Sequence, residues 1–178
     1  MRFSENLLIA RIVLAAVIVL SLVFGGGGAL MDRRIAAEAQ FNADSESISA
    51  ELNEMRSNAV VLCSIAAKYK TANQSFISDL NAAVALLDEA KDVSSRHQAS
   101  LKLDSAVENV YSNLTGLKLG DMDAQDARYA YKNFTSAQLR IEHDGYNALA
   151  EEFNNDLSRF PANLLGALRG VKPLGLFR

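Results

Sequence analysis

The hydrophobic pattern of the chain changes character twice. From Leu7 to Phe24, eighteen positions carry a single charge, Arg11. At about 1.5 Å per residue such a helix is roughly 27 Å long, close to the hydrocarbon thickness of a bilayer. Arg11 lies one turn inside, within snorkelling reach of the headgroups. The run predicts a transmembrane anchor that ends in the glycines Gly25–Gly28. The same residues also read as a cleavable signal, with Met1–Arg11 as its basic region and Ile12–Phe24 as its apolar region. Arg2 and Arg11 flank one end and Arg33 and Arg34 the other, so the basic residues leave the orientation undetermined.

Beyond the glycines the apolar residues become periodic. Phe41, Ile48, Leu52, Met55, Ala59, Leu62, Ala66 and Tyr69 advance in steps of 7, 4, 3, 4, 3, 4 and 3, with Ser45 off the pattern. That is a seam of period 3.5 and predicts one helix over about Ala29–Tyr69. The four glycines are either part of that helix or a hinge, since each costs a helix about 1 kcal/mol. A second stripe holds Ile77, Leu80, Val84 and Leu87, with Thr71 or Asn73 as its cap. The hydrophilic stretch Asp92–Gln98 closes it. A third holds Leu103, Val107, Val110, Leu114 and Leu117. Gly116, Gly120 and Asp121–Asp123 then read as a loop. A fourth helix is expected over about Ala124–Arg159, on a seam of Leu139, Tyr146, Phe153 and Phe160. The expected fold is all-α: an N-terminal transmembrane helix (1–31), an antiparallel up-down bundle of about four long helices (32–160) and a short tail (161–178).

Composition narrows the choices. Hydrophobic residues at 49% and charged residues at 22% exclude intrinsic disorder over most of the length. Two prolines in 178 residues disfavour a β-sandwich. A lone cysteine, Cys63, excludes an internal disulfide framework and a multi-cysteine zinc site. The net charge of −3 gives no nucleic-acid signature. That figure is uneven along the chain. Residues 32–160 hold 13 Lys/Arg against 20 Asp/Glu, whereas 161–178 hold Arg169, Lys172 and Arg178 and no acid. Leu164, Leu165, Leu168 and Phe177 of this basic tail either cover one end of an acidic bundle or touch an anionic membrane surface. Arg169, Lys172 and Arg178 are the membrane-surface candidates.

The last third carries a more specific pattern. Tyr146-Asn147, Phe153-Asn154 and Phe160-Pro161-Ala162-Asn163-Leu164 follow one another at intervals of seven. An asparagine beside a seam can hydrogen-bond across helices and fix their register. Pro161 forbids continuation of the helix. This arrangement resembles the C-terminal signature of the LemA family of bacterial membrane proteins. Gly170, Pro173 and Phe177 are similar to the family's ending, and Arg56, Ala59, Leu62 and Tyr69 to an upstream segment of it. The chain departs from the family pattern at His143, where arginine is common, around Tyr111–Leu119, and in its four glycines. The resemblance implies a membrane-tethered antiparallel helical bundle with no established catalytic activity. It makes Tyr146, Asn147, Phe153, Asn154, Phe160, Pro161 and Asn163 a structural motif.

No catalytic or metal-binding pattern stands out. His97 and His143 lie outside His-Glu-x-x-His and Glu-x-x-His spacings and read as solvated helix-surface residues. Cys63 adjoins Leu62 on the seam and reads as a small buried side chain. The glycines lack the Lys-Ser/Thr of a phosphate loop. No cofactor is implied. Two functions are expected to compete. One is a non-enzymatic scaffold or adaptor in the bacterial cell membrane, crossing it once and binding an unidentified membrane or envelope protein, with a homo-oligomer as a variant. The other is a ligand-binding or cryptic catalytic site lined by Tyr146, Asn147 and Asn154. The partners of those asparagines discriminate between the two.

Overall fold

The computed structural model of the chain describes residues 2–43, 45–69 and 71–178, without the side chains of 2–6, 8 and 22–24. The described residues form helices and no strand. The helices are α1 (Arg2–Phe41), α2 (Ile48–Ala67), α3 (Gln74–Glu89), α4 (Val93–Thr115), α5 (Asp121–Glu142), α6 (Tyr146–Ser158) and α7 (Ala162–Arg169).

Several helix starts were written in the sequence as polar residues able to satisfy orphan N–H groups. Ser47 Oγ accepts from Ala50 N at 3.2 Å, and Asn73 Oδ1 accepts from Ser75 N at 3.0 Å. Asp92 and Ser95 form a reciprocal capping box, so Asp92–Gln98 opens α4 and is not merely a spacer after α3. Asp121 and Asp123 fall in the first turn of α5, where the helix dipole favours carboxylates, and not in the expected loop. Gly170, at φ +67°, ends α7 in the left-handed conformation.

Two long helices are broken where the heptad spacing had suggested continuity. The helix expected over Ala29–Tyr69 stops at Phe41 and restarts at Ile48. Between them Ser47 donates to Ala43 O at 2.6 Å and caps α2, and Glu46 takes φ +52°. Side chains that offer the main chain a competing hydrogen bond favour such a break. The step of seven from Phe41 to Ile48 crosses it and disguises it, since both residues are buried. The helix expected over Ala124–Arg159 is likewise divided at His143–Gly145. Asp144 Oδ1 accepts from Tyr146 N at 2.7 Å and starts α6. The seven-spaced seam therefore survives only at Tyr146 and Phe153. Leu139 is 55% exposed and Phe160 81%. The glycines, by contrast, are no hinge: α1 runs through them unbroken.

The chain groups into two compact units. One contains residues 40–147 and 175–178. In it α2 buries the seam Ile48, Leu52, Met55, Ala59, Leu62 and Ala66 as its spacing requires. Its most extensive helix pair is α2 with α5. Near the end of α5, Arg140 meets Glu51 at 2.7 Å and Glu54 at 2.6 Å in the first turns of α2. At the start of α5, Asp123 receives Lys68 Nζ at 2.6 Å and Tyr69 Oη at 2.7 Å from beyond the end of α2. The two helices therefore run in opposite directions. α2 and α3 do the same, joined by Arg56 to Asp88 and by Cys63 to Asn81. The buried face of α5 is Ala127, Ala130, Phe134 and Ala137.

The other unit contains residues 1–39 and 148–174. Every described side chain of α1 from Leu7 to Ser21 is exposed. Ile9–Phe41 is long and apolar enough to cross a membrane. Burial begins at Gly27 and Leu30. Arg33 then binds Asp156 of α6 at 3.0 Å and lies 3.8 Å from Glu152.

Candidate functional site

The signature residues of the last third meet the C-terminal segment, which runs from Val171 to Arg178 without regular structure. Within 40–147 and 175–178, Asn147 makes a paired contact with Phe177. Its Oδ1 accepts from Phe177 N at 2.8 Å and its Nδ2 donates to Phe177 O at 2.9 Å. Tyr146 donates from Oη to Gly175 O at 2.8 Å and is fully buried, with its ring edge-on to Phe41 at 4.9 Å. Phe177 lies 4.9 Å from the ring of His97 and 6.2 Å from that of Phe41. Arg96 stands over the Phe41 ring at 5.7 Å. A side chain at Gly175 would meet Val93 Cβ at 3.3 Å, so the close approach of this segment uses the missing Cβ.

Within 1–39 and 148–174, Asn154 repeats the paired contact. Its Oδ1 accepts from Leu174 N at 2.8 Å and its Nδ2 donates to Leu174 O at 2.9 Å. A primary amide facing one residue's N–H and C=O supplies both halves of a backbone pair. Val171 and Leu174 bury their side chains beside it.

Chain geometry explains the interval of seven. Seven helical residues rise about 10.5 Å, and three extended residues span about 10 Å. Asparagines seven apart on a helix therefore match tail residues three apart, as Leu174 and Phe177 are. The sequence reading expected helix-to-helix bonds from these asparagines. Their partner is instead extended main chain, and the three-residue spacing of apolar tail positions was the signal for it.

The third repeat differs. Phe160 is exposed, and Asn163 Oδ1 accepts from the neighbouring Leu164 N at 2.7 Å. Pro161 stands between α6 and α7, where a helix was expected to stop.

Comparison with protein-family models, curated proteins and solved structures finds no match.

The residues tested for chemistry lie apart from the tail contacts or serve them. His97 is half-buried, not solvated, because Phe177 lies against it. His143 is exposed. It borders a cleft of about 420 Å³ with Glu46, Glu51, Leu139, Arg140, Asp144 and Gly145, and neither Asn147 nor Asn154 lines it. Among the described residues no group of His, Cys, Asp or Glu is arranged to hold a metal ion. In the cleft Arg140 has its pKa pushed up, chiefly by its hydrogen bond to Glu51. Cys63 is half-buried, and its thiol donates to Asn81 Oδ1 at 3.2 Å. Burial raises its pKa, which keeps it protonated at neutral pH.

The membrane-surface candidates Arg169, Lys172 and Arg178 are all exposed. The apolar residues grouped with them divide. Leu165 and Phe177 are buried, whereas Leu164 is 55% and Leu168 60% exposed.

Proposed function

We propose that this chain is a LemA-like protein of the bacterial cell membrane, crossing it once through α1 and carrying a non-catalytic helical body that acts by binding. In this proposal α2–α5 form an antiparallel up-down bundle, and the body serves as a scaffold or adaptor for another membrane or envelope protein. The observation that carries it is the bare apolar length of α1. Every described side chain from Leu7 to Ser21 is exposed, and fifteen helical residues span about 22 Å. Water is a poor solvent for such a surface, and lipid is the solvent that matches it.

The opposing directions of α2 against α5 and of α2 against α3 support the bundle topology. Against a ligand or catalytic site at Tyr146, Asn147 and Asn154 stand their bonds to the tail. The amides of both asparagines and the hydroxyl of Tyr146 are already satisfied by main chain.

Cross-linking the full chain in native membranes, followed by affinity purification, tests the adaptor. A specific membrane or envelope protein is expected among the products. Products containing only copies of this chain would replace the adaptor with a homo-oligomer, and the absence of any specific product would count against both.

A further inference from the structure

We propose that α7 is an interfacial foot, lying in the headgroup layer of an anionic bilayer beside the α1 span. This rests on the reading of α1 as membrane-spanning and adds the lipid contact that fixes its depth.

The foot has a seat on α1. A Cβ at Gly26 would come within 2.8 Å of Leu165 Cδ1, and one at Gly27 within 2.6 Å of Arg169 Cγ. Leu165, on the buried face of α7, and Arg169 therefore approach α1 closely at these glycines. The seat is also well placed along α1. Gly26 follows Phe24, the end of the apolar run, by two residues, about 3 Å of helix. That is the depth range in which hydrocarbon gives way to headgroups.

The outer face of α7 is chemically suited to that layer. Leu164 and Leu168 are four residues apart, on one side of the helix, and are 55% and 60% exposed. Phe160, just before Pro161, is 81% exposed. Lys172 follows α7 on the surface, and residues 161–178 contain no acid, in contrast to the acidic stretch before them. Exposed apolar side chains beside cations, continuous with a membrane span, fit the boundary of an anionic leaflet. A purely aqueous surface would gain nothing from exposing these three large apolar side chains together.

The chain contains no tryptophan, so a single introduced one reports its own surroundings. The full-length protein is reconstituted in phosphatidylcholine vesicles with and without phosphatidylglycerol, each containing lipids brominated at known depths. Leu168→Trp is expected to emit at short wavelength and to be quenched most by bromines near the headgroups. Leu164→Trp, on the same face, is expected to agree. Leu14→Trp is expected to be quenched by bromines deep in the acyl region. In vesicles with phosphatidylglycerol, Lys172→Gln should weaken partitioning of the foot by about fivefold. Unquenched, long-wavelength emission from Leu164→Trp and Leu168→Trp, with Leu14→Trp deeply quenched, would overturn the foot while leaving the span. It would assign this face to a protein partner. Absence of quenching at all three positions would remove the span and the foot together. Equal quenching with and without phosphatidylglycerol would overturn the anionic character of the contact.

Discussion

Replacing Asn147 by alanine is a sharp probe of why the signature carries asparagine. The substitution deletes both bonds to Phe177, at 2.8 and 2.9 Å, and leaves the Phe177 ring against His97 and Phe41. Each such bond contributes about 1 kcal/mol net, so the docking of the last residues should weaken by about 2 kcal/mol. That corresponds to about thirty times more of the undocked state. Hydrogen exchange of the C-terminal peptide reads this directly, because the Phe177 amide is protected only while docked. Its exchange should accelerate by about the same factor. Asn155→Ala supplies the control. Asn155 is exposed on the same helix, and its substitution should leave the Phe177 amide unchanged. Asn147→Asp keeps an acceptor for the Phe177 N–H but places a second oxygen against the Phe177 carbonyl. It should be as damaging as alanine at neutral pH and recover in part below about pH 4, where a protonated carboxyl can donate. Unaltered exchange in Asn147→Ala, or equal acceleration in Asn155→Ala, would refute the role assigned to the asparagine.

Other substitutions test neighbouring parts of the account. Tyr146→Phe removes the bond to Gly175 O and should cost about 1 kcal/mol, lowering the thermal midpoint by about 2–4 °C in detergent melts. At Gly25 and Gly28 a Cβ meets nothing within 4 Å, so Gly25→Ala and Gly28→Ala should each stabilise α1 by about 0.5–1 kcal/mol. Gly27→Ala should destabilise in the same melts, because the Arg169 stem must move. Equal effects at Gly25, Gly27 and Gly28 would contradict the seat. The Lys68 ammonium, and after it the Tyr69 hydroxyl, hold the Asp123 carboxyl below the usual carboxylate range. Its contribution to stability is therefore present above the unfolded value near pH 4 and lost as pH falls through the lower folded value. Wild type should exceed Asp123→Asn in stability at neutral pH, and the gap should close on acidification.

How much of this was legible in the sequence varies by element. The seam of α2 was readable because its residues are large, regularly spaced and buried on one face. The face of α5 was less readable, since Ala127, Ala130 and Ala137 give a weak hydrophobic signal around Phe134. The break between Phe41 and Ile48 escaped because both residues keep the seam, and the one at His143–Gly145 because Leu139, which is exposed, was counted on it. A seven-residue step spans two helical turns, so it looks the same whether the helix continues or restarts in phase. The local chemistry at Ser47 and Asp144 was the better guide. The tail was half legible. Its charge was legible from composition, but whether Leu164, Leu165, Leu168 and Phe177 are covered or exposed was not: Leu165 and Phe177 are buried, and Leu164 and Leu168 are exposed. Pairing with Asn154 and Asn147 places Leu174 and Phe177, and such pairing joins residues 20 to 30 positions apart.

The central claim is that α1 remains on the protein and holds it in a bilayer. The most direct measurement is the intact mass of the chain recovered from native membranes after alkaline extraction and flotation. The account predicts that the chain stays with the lipid at a mass that includes Leu7–Phe24. A chain released into the aqueous fraction, with a mass that begins after Gly28, would contradict it.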